Sequence, residues 1–94
     1  MNREEIDEFI IKEKDIPISG HQRIYRFPNN YGASCVDGPA LHSYSFHTEI
    51  AIFEFRGDKV EITCDTGITN DVIITDDEDD ELEYLNRIYE LKEL

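Results

Sequence analysis

Apolar and polar positions alternate most clearly over residues 44–64, YSFHTEIAIFEFRGDKVEITC, and the alternation predicts a β-hairpin. Gly57-Asp58 supplies a two-residue loop of the Gly-first kind, which a type II′ turn accepts without steric strain. With those residues as the turn, Arg56 faces Lys59, Phe55 faces Val60, Phe53 faces Ile62 and Ala51 faces Cys64. A one-residue slip would set apolar against polar positions throughout, so the register is well specified. Glu54 then lies opposite Glu61, an unfavourable pair unless solvent or a cation separates them. Arg56-Gly57-Asp58 is also the integrin-type adhesion triplet, but a tight polar turn accounts for all three residues. The phase changes upstream, because Tyr44, Phe46, Ile50 and Ile52 are even-numbered whereas Phe53 and Phe55 are odd. A β-bulge near residues 47–49 or a sheet covered on both sides would explain this. Partial coverage of both sides is the preferred reading, since two helices are expected.

Residues 2–15 read as the first helix. Asn2 can cap it with Glu5 three residues on, and Ile6, Phe9 and Ile10 recur at helical spacing until Pro17 stops the pattern. Residues 23–28, RIYRFP, read as a short strand that Pro28 ends, and Asn29-Asn30-Tyr31-Gly32 as a turn. Residues 33–36 and 71–74 are further short strands. Thr75 with Glu78 has the form of a capping box opening a C-terminal helix over 76–92, with Leu82, Leu85, Ile88 and Tyr89 on its buried face. The class is α+β: a small antiparallel sheet centred on the hairpin (about 44–55 and 59–64), with an N-terminal and a C-terminal helix packed on it. The 94 residues make one domain, near the lower end of what folds without staples. A homodimer would add core by pairing an edge strand or a helix.

Charge narrows the partners. Twenty-two acids against nine Lys and Arg give a net charge of −13. Direct binding to nucleic acid or to an anionic membrane is disfavoured, and basic protein surfaces, including those that hold nucleic acid, are favoured. No apolar run reaches the length of a membrane span. The N-terminal stretch MNREEIDEFIIKEKD is acidic and amphipathic, unlike a secretory signal, so a cytoplasmic protein is expected. In that compartment Cys35 and Cys64 are expected as reduced, buried thiols rather than a disulfide.

Asp76, Asp77, Glu78, Asp79, Asp80 and Glu81 form six consecutive acids, with Glu83 close behind. Acids in a first helical turn complement the macrodipole, but two or three would satisfy that logic. The excess points to a surface offered to a basic groove. Metal binding is the weaker reading, because the alternating ligand spacing and the glycine of an EF-hand loop are missing. His42 and His47 stand at a spacing used by some zinc sites, but no Cys-x-x-Cys accompanies them and strand geometry would point them to opposite faces. No nucleophile elbow and no phosphate-binding glycine loop occurs. No enzyme, cofactor or metal is expected.

Residues 27–36, Phe-Pro-Asn-Asn-Tyr-Gly-Ala-Ser-Cys-Val, resemble the Phe-Pro-Asn-Gly-Tyr-Gly-Ala-Ser-Val-Val signature of a group of small bacteriophage proteins. Residues 65–73, Asp-Thr-Gly-Ile-Thr-Asn-Asp-Val-Ile, are similar to that group's Asp-Thr-Pro-Ile-Thr-Asp-Asp-Val-Ile. The likeness runs from about residue 23 to 88 and departs at Asn30, Cys35, Gly67 and Asn70, and the N-terminal helix lies outside it. It implies a phage or prophage origin and brings no catalytic residue with it. The loop Asn29, Asn30 and Tyr31 is either a strand-to-strand corner or an exposed recognition loop with Tyr31 as its aromatic anchor. The expectation for function is a non-enzymatic phage protein that binds and inhibits or modulates a host protein in the bacterial cytoplasm, for instance in counter-defence. A structural or assembly accessory acting by self-association is the second reading. A small-ligand binding or hydrolytic protein using Tyr31, His42, His47 and nearby acids is the third.

Overall fold

The computed structural model describes residues 1–16, 20–39, 46–63, 66–68 and 72–93. In chain order these form helix α1 (Arg3–Asp7), strands β1 (Ile10–Ile16), β2 (Gly20–Arg26), β3 (Tyr31–Pro39), β4 (Phe46–Arg56), β5 (Lys59–Ile62) and β6 (Ile73–Thr75), and helix α2 (Glu78–Tyr89). The expected α+β class is the one found. Strands β1 to β5 lie side by side in sequence order, all antiparallel, and β6 pairs with β4 on the same edge as β5, along Thr48–Ile50.

The hairpin has the register its residues dictate: Arg56↔Lys59, Phe55↔Val60, Glu54↔Glu61 and Phe53↔Ile62. Gly57 takes φ +63° and Asp58 does not go positive, as a type II′ turn requires. The like-charged Glu54–Glu61 pair is relieved by Arg56, whose Nε donates to Glu54 Oε2 at 3.1 Å. The expected pairing of Ala51 with Cys64 lies outside the described residues, as does His42; the strand expected over 71–74 is found as β6, with Asp71 outside the described residues. Cys35, on β3, is a buried free thiol.

Three expectations need correction. The helix over 2–15 is one turn long. Its capping box forms, with Glu5 N donating to Asn2 Oδ1 at 2.9 Å and Asn2 N to Glu5 Oε1 at 3.0 Å, yet the chain leaves the helix at Glu8. An isolated helix of that length is marginal in water, and from Ile10 to Ile16 the chain instead pairs one side of its backbone with β2. The charged alternation Lys12-Glu13-Lys14-Asp15 suits an edge strand that must not attract another. Ile11 sits where the β1–β2 register shifts and is 57% exposed.

The second correction is the cap of α2. Thr75 belongs to β6, and Asp77 caps the helix by accepting from Asp79 N at 2.6 Å.

The third is coverage. The β3–β4 register runs unshifted from Tyr31↔Glu54 to Pro39↔Phe46, so no bulge resets the phase. Both helices lie on one face, that of Ile50 and Ile52, and the core there joins Ile6, Tyr25, Phe27, Ala33, Cys35, Ile73, Leu85 and Ile88. Phe9, Phe27 and Tyr89 close one end of it with ring centroids 5.5–5.7 Å apart. The opposite face carries Phe53 and Phe55 with Val60, Ile62 and Ile74, the last three 52%, 66% and 64% exposed.

Phe55 is the buried member of that open face. It lies over Gly32, and the Arg26 guanidinium sits 4.9 Å from its ring centre. A Cβ at position 32 would press on the Tyr25 carbonyl and stand 2.6 Å from Phe55 Cε2. Gly32→Ala should therefore lose about 1–3 kcal/mol or more, as overpacking does. Urea unfolding reads this directly, and unchanged stability would show that the ring and strand shift freely.

Candidate functional site

Between the start of α2, the helix-bearing side of the sheet and α1 lies a cavity of about 450 Å³. Strand alternation explains how charged residues arrive there. Arg23 shares its face of β2 with buried Tyr25, Asp37 is opposite Thr48 across β3 and β4, and Thr48 is opposite Thr75 across β4 and β6. From α1 come Arg3 and Asp7, and His21 stands two residues before Arg23. Asp76, Asp77 and Glu78 form the mouth, and Glu81, one helical turn on, points inward.

Glu81 is only 5% exposed and receives two guanidinium groups. Arg3 Nη1 reaches its Oε1 at 3.3 Å, and Arg23 Nη2 forms a short ion pair with the same oxygen. Arg23 also pairs with Asp37 at 3.0 Å and donates from Nη1 to the Tyr25 hydroxyl at 2.8 Å. Tyr25 O–H in turn donates to Asp7 Oδ1 at 2.7 Å, and Thr48 Oγ1 donates to Asp37 Oδ1 at 2.6 Å. The result is a continuous polar chain tying α1, β2, β3, β4 and α2.

Electrostatics fixes the charge state of this chain. Burial alone would lower the pKa of Arg23, but charge pairing, with Glu81 prominent, holds it above the ordinary arginine value; Arg3 behaves alike through Glu81. Burial and the hydrogen bond to Asp7 push the Tyr25 hydroxyl well above its ordinary range, so it stays protonated and donates. Burial pushes the Cys35 thiol up too, which leaves it a poor nucleophile.

Among the described residues, two buried side-chain polar atoms have no hydrogen-bond partner: Arg23 Nε and Thr75 Oγ1. Among the described residues, no group of three or more His, Cys, Asp or Glu is arranged to hold a metal ion. No helix among them is long and apolar enough to cross a membrane.

The residues singled out in the sequence divide sharply. Asp76, Asp77, Glu78, Asp79, Asp80 and Glu83 are exposed, whereas Glu81 is buried in the network and unavailable to a flat partner surface. Asn29 is a helix cap: its Nδ2 donates to the carbonyls of Ile88, Tyr89 and Leu91 at 2.9, 3.1 and 2.9 Å. Its Oδ1 accepts from Tyr31 N at 3.0 Å, Asn30 takes a left-handed φ of +66°, and Tyr31 packs against the core. The loop is the strand-to-strand corner, with the Asn29 side chain turned to holding α2 and that of Asn30 accepting from Arg26. His47 is in β4 opposite Gly38, so the grouping of Tyr31 with His42 and His47 gains nothing from the described residues. Sequence reading missed Arg3, Asp7, Arg23, Asp37, Thr48 and Thr75. The available signal was a charged residue, Arg23, in phase with Tyr25 and Phe27.

No family model matches the chain, and comparison with curated proteins and with solved structures found no match either.

Removing the Glu81 charge should leave the largely buried Arg23 guanidinium and the partly buried one of Arg3 poorly compensated. Glu81→Ala is expected to cost about 3–5 kcal/mol in urea unfolding. Neutralising exposed Asp80 to Asn should stay within about 0.5 kcal/mol. Equal effects would contradict the division of the acidic run.

At the cavity edge His21 Nδ1 lies 3.0 Å from Asp15 and Nε2 3.4 Å from Glu13. Hydrogen bonds to Asp15 and then Glu13 raise its pKa above the ordinary 6.5. The fold thus favours charged His21. Its contribution is complete below pH 6.5 and is lost as pH rises through the raised value. NMR titration should find the midpoint above 6.5, and Asp15→Asn should return it towards that value. A midpoint unmoved by the substitution would remove Asp15 as the cause.

Proposed function

We propose that this protein is a non-enzymatic binder that recognises a basic protein surface, of the kind that holds nucleic acid, and thereby blocks or modulates its owner. The observation that carries the reading is the exposed acidic edge at the start of α2. Asp76, Asp77, Glu78, Asp79, Asp80 and Glu83 are all turned to solvent within one segment. Carboxylates clustered at this density attract a basic groove over the range of the Debye length and speed encounter more than they tighten the final complex. The resemblance of residues 27–36 and 65–73 to small bacteriophage proteins supports a phage or prophage origin and a host target in the bacterial cytoplasm.

Self-association is the second reading, and the exposed Val60, Ile62 and Ile74 on the helix-free face favour it.

A variant carrying Asp76→Asn, Asp79→Asn, Asp80→Asn and Glu83→Gln leaves Glu81 in place and should fold normally. Affinity capture from host lysate should retain a basic nucleic-acid-binding protein on the native chain. That retention should fall with salt and drop at least about tenfold in the variant. Equal capture by both proteins, insensitive to salt, would end the reading. Sedimentation of the native chain decides the second: a dimer broken by Ile62→Glu supports it, and a monomer removes it.

A further inference from the structure

The cavity at the mouth of α2 has a composition that the flat acidic edge does not explain. We infer that it is a binding site for a small organic cation, an alkylammonium or alkylguanidinium group. Six carboxylates line it against two guanidinium groups, an excess of four negative charges, or three when His21 is protonated. Both guanidinium groups are already engaged, Arg3 by Glu81, Glu78 and Asp7 and Arg23 by Glu81 and Asp37. An anion entering would meet Asp76, Asp77 and Glu78 at the mouth with no uncommitted arginine to receive it.

The second observation is Thr75. Its residue is 5% exposed, it lines the cavity, and its Oγ1 has no hydrogen-bond partner. The neighbouring Thr48 hydroxyl, by contrast, donates to Asp37. A buried hydroxyl left unsatisfied is destabilising, and an N–H from a bound cation would supply the missing partner. The other orphan atom, Arg23 Nε, is a donor and offers a cation nothing. A volume of about 450 Å³ falls within the range of small-ligand sites and admits a basic side chain or a short polyamine.

The cation could arrive free in solution or on the basic partner proposed above. Only the second source rests on that proposal, so the first test uses small molecules alone. NMR titration of the labelled protein with agmatine and with spermidine should give saturable shifts at Thr75, Asp76, Asp77 and Thr48. 1,4-Butanediol, which has the same four-carbon spacer and no charge, should give none. Thr75→Val keeps the shape, removes the orphan hydroxyl, and should leave thermal stability equal or higher while raising the Kd about tenfold. Asp76→Asn, which removes a rim charge and leaves every ion pair of the buried network in place, should weaken binding by a smaller factor.

The inference is overturned by the absence of saturable shifts, by equal binding of the diol, or by a folded Thr75→Val protein that binds as the native one does. Once the cation site is established, competition separates the sources. Displacement of the captured partner by agmatine assigns the cation to the partner's side chain, and saturable agmatine binding without displacement assigns it to a free amine. Loss of the partner with the cation site intact would remove the proposed function alone.

Discussion

Burying the Glu81 carboxylate imposes the strictest condition on this fold. A carboxylate taken out of water is tolerated only with opposite charge and hydrogen bonds around it. Here that requirement recruits Arg3 from α1 and Arg23 from β2, and Arg23 in turn needs Asp37 and Tyr25. The same requirement sets the rotation of α2. Glu81, Leu85 and Ile88 follow one another at helical spacing on the inward side, which leaves Asp79, Asp80 and Glu83 facing out. One inward acid therefore decides which of its neighbours are available to anything else.

Charge is unevenly divided by the sheet. On the helix-bearing face the strands carry Glu13, Asp15, Asp37, Glu54 and Glu61 against Arg23, Arg56 and Lys59, and the acidic mouth of α2 adds to that excess. On the opposite face the described strand positions carry Lys12, Lys14 and Arg26 against Glu49. A chain of net charge −13 thus has one face that is apolar and mildly basic. Contact between copies there is opposed far less than contact anywhere near α2. The molecule separates two kinds of association by side, an electrostatic one around α2 and an apolar one across the open face.

How much of this could be read from the residues follows from where each interaction lies in the chain. The hairpin was legible because its turn and its alternation are local, and a slip of one residue is costly everywhere at once. The C-terminal helix was legible from its period. The N-terminal helix was misread because Ile6, Phe9 and Ile10 fit a helical stripe, while the competing partner, β2, is met only after the chain turns back. The cap at Asp77 rather than Thr75 has a similar cause, since pairing of β6 with Thr48 holds Thr75 in the strand. The cavity was invisible for a stronger reason. Arg3, Arg23, Asp37 and Glu81 are separated by up to 78 residues, and no spacing rule connects them. Asn29 was noticed as a turn residue, and its role in holding α2 depends on carbonyls 59–62 residues away.

The exposed acids and the cavity act under different physics, and this makes them complementary. Carboxylates at the surface are screened within about 8–10 Å at ordinary salt, so they govern how fast a basic partner is drawn in and with what tolerance of orientation. Charges inside the cavity have fewer waters and fixed neighbours, so they are screened less and demand a defined geometry. The rim residues Asp76, Asp77 and Glu78 belong to both settings. A cation guided by the outer field would reach them first and then exchange water for the Thr75 hydroxyl and the deeper carboxylates. Rising salt would slow its arrival more than it hastens its departure, and that difference separates a built site from a charged surface alone.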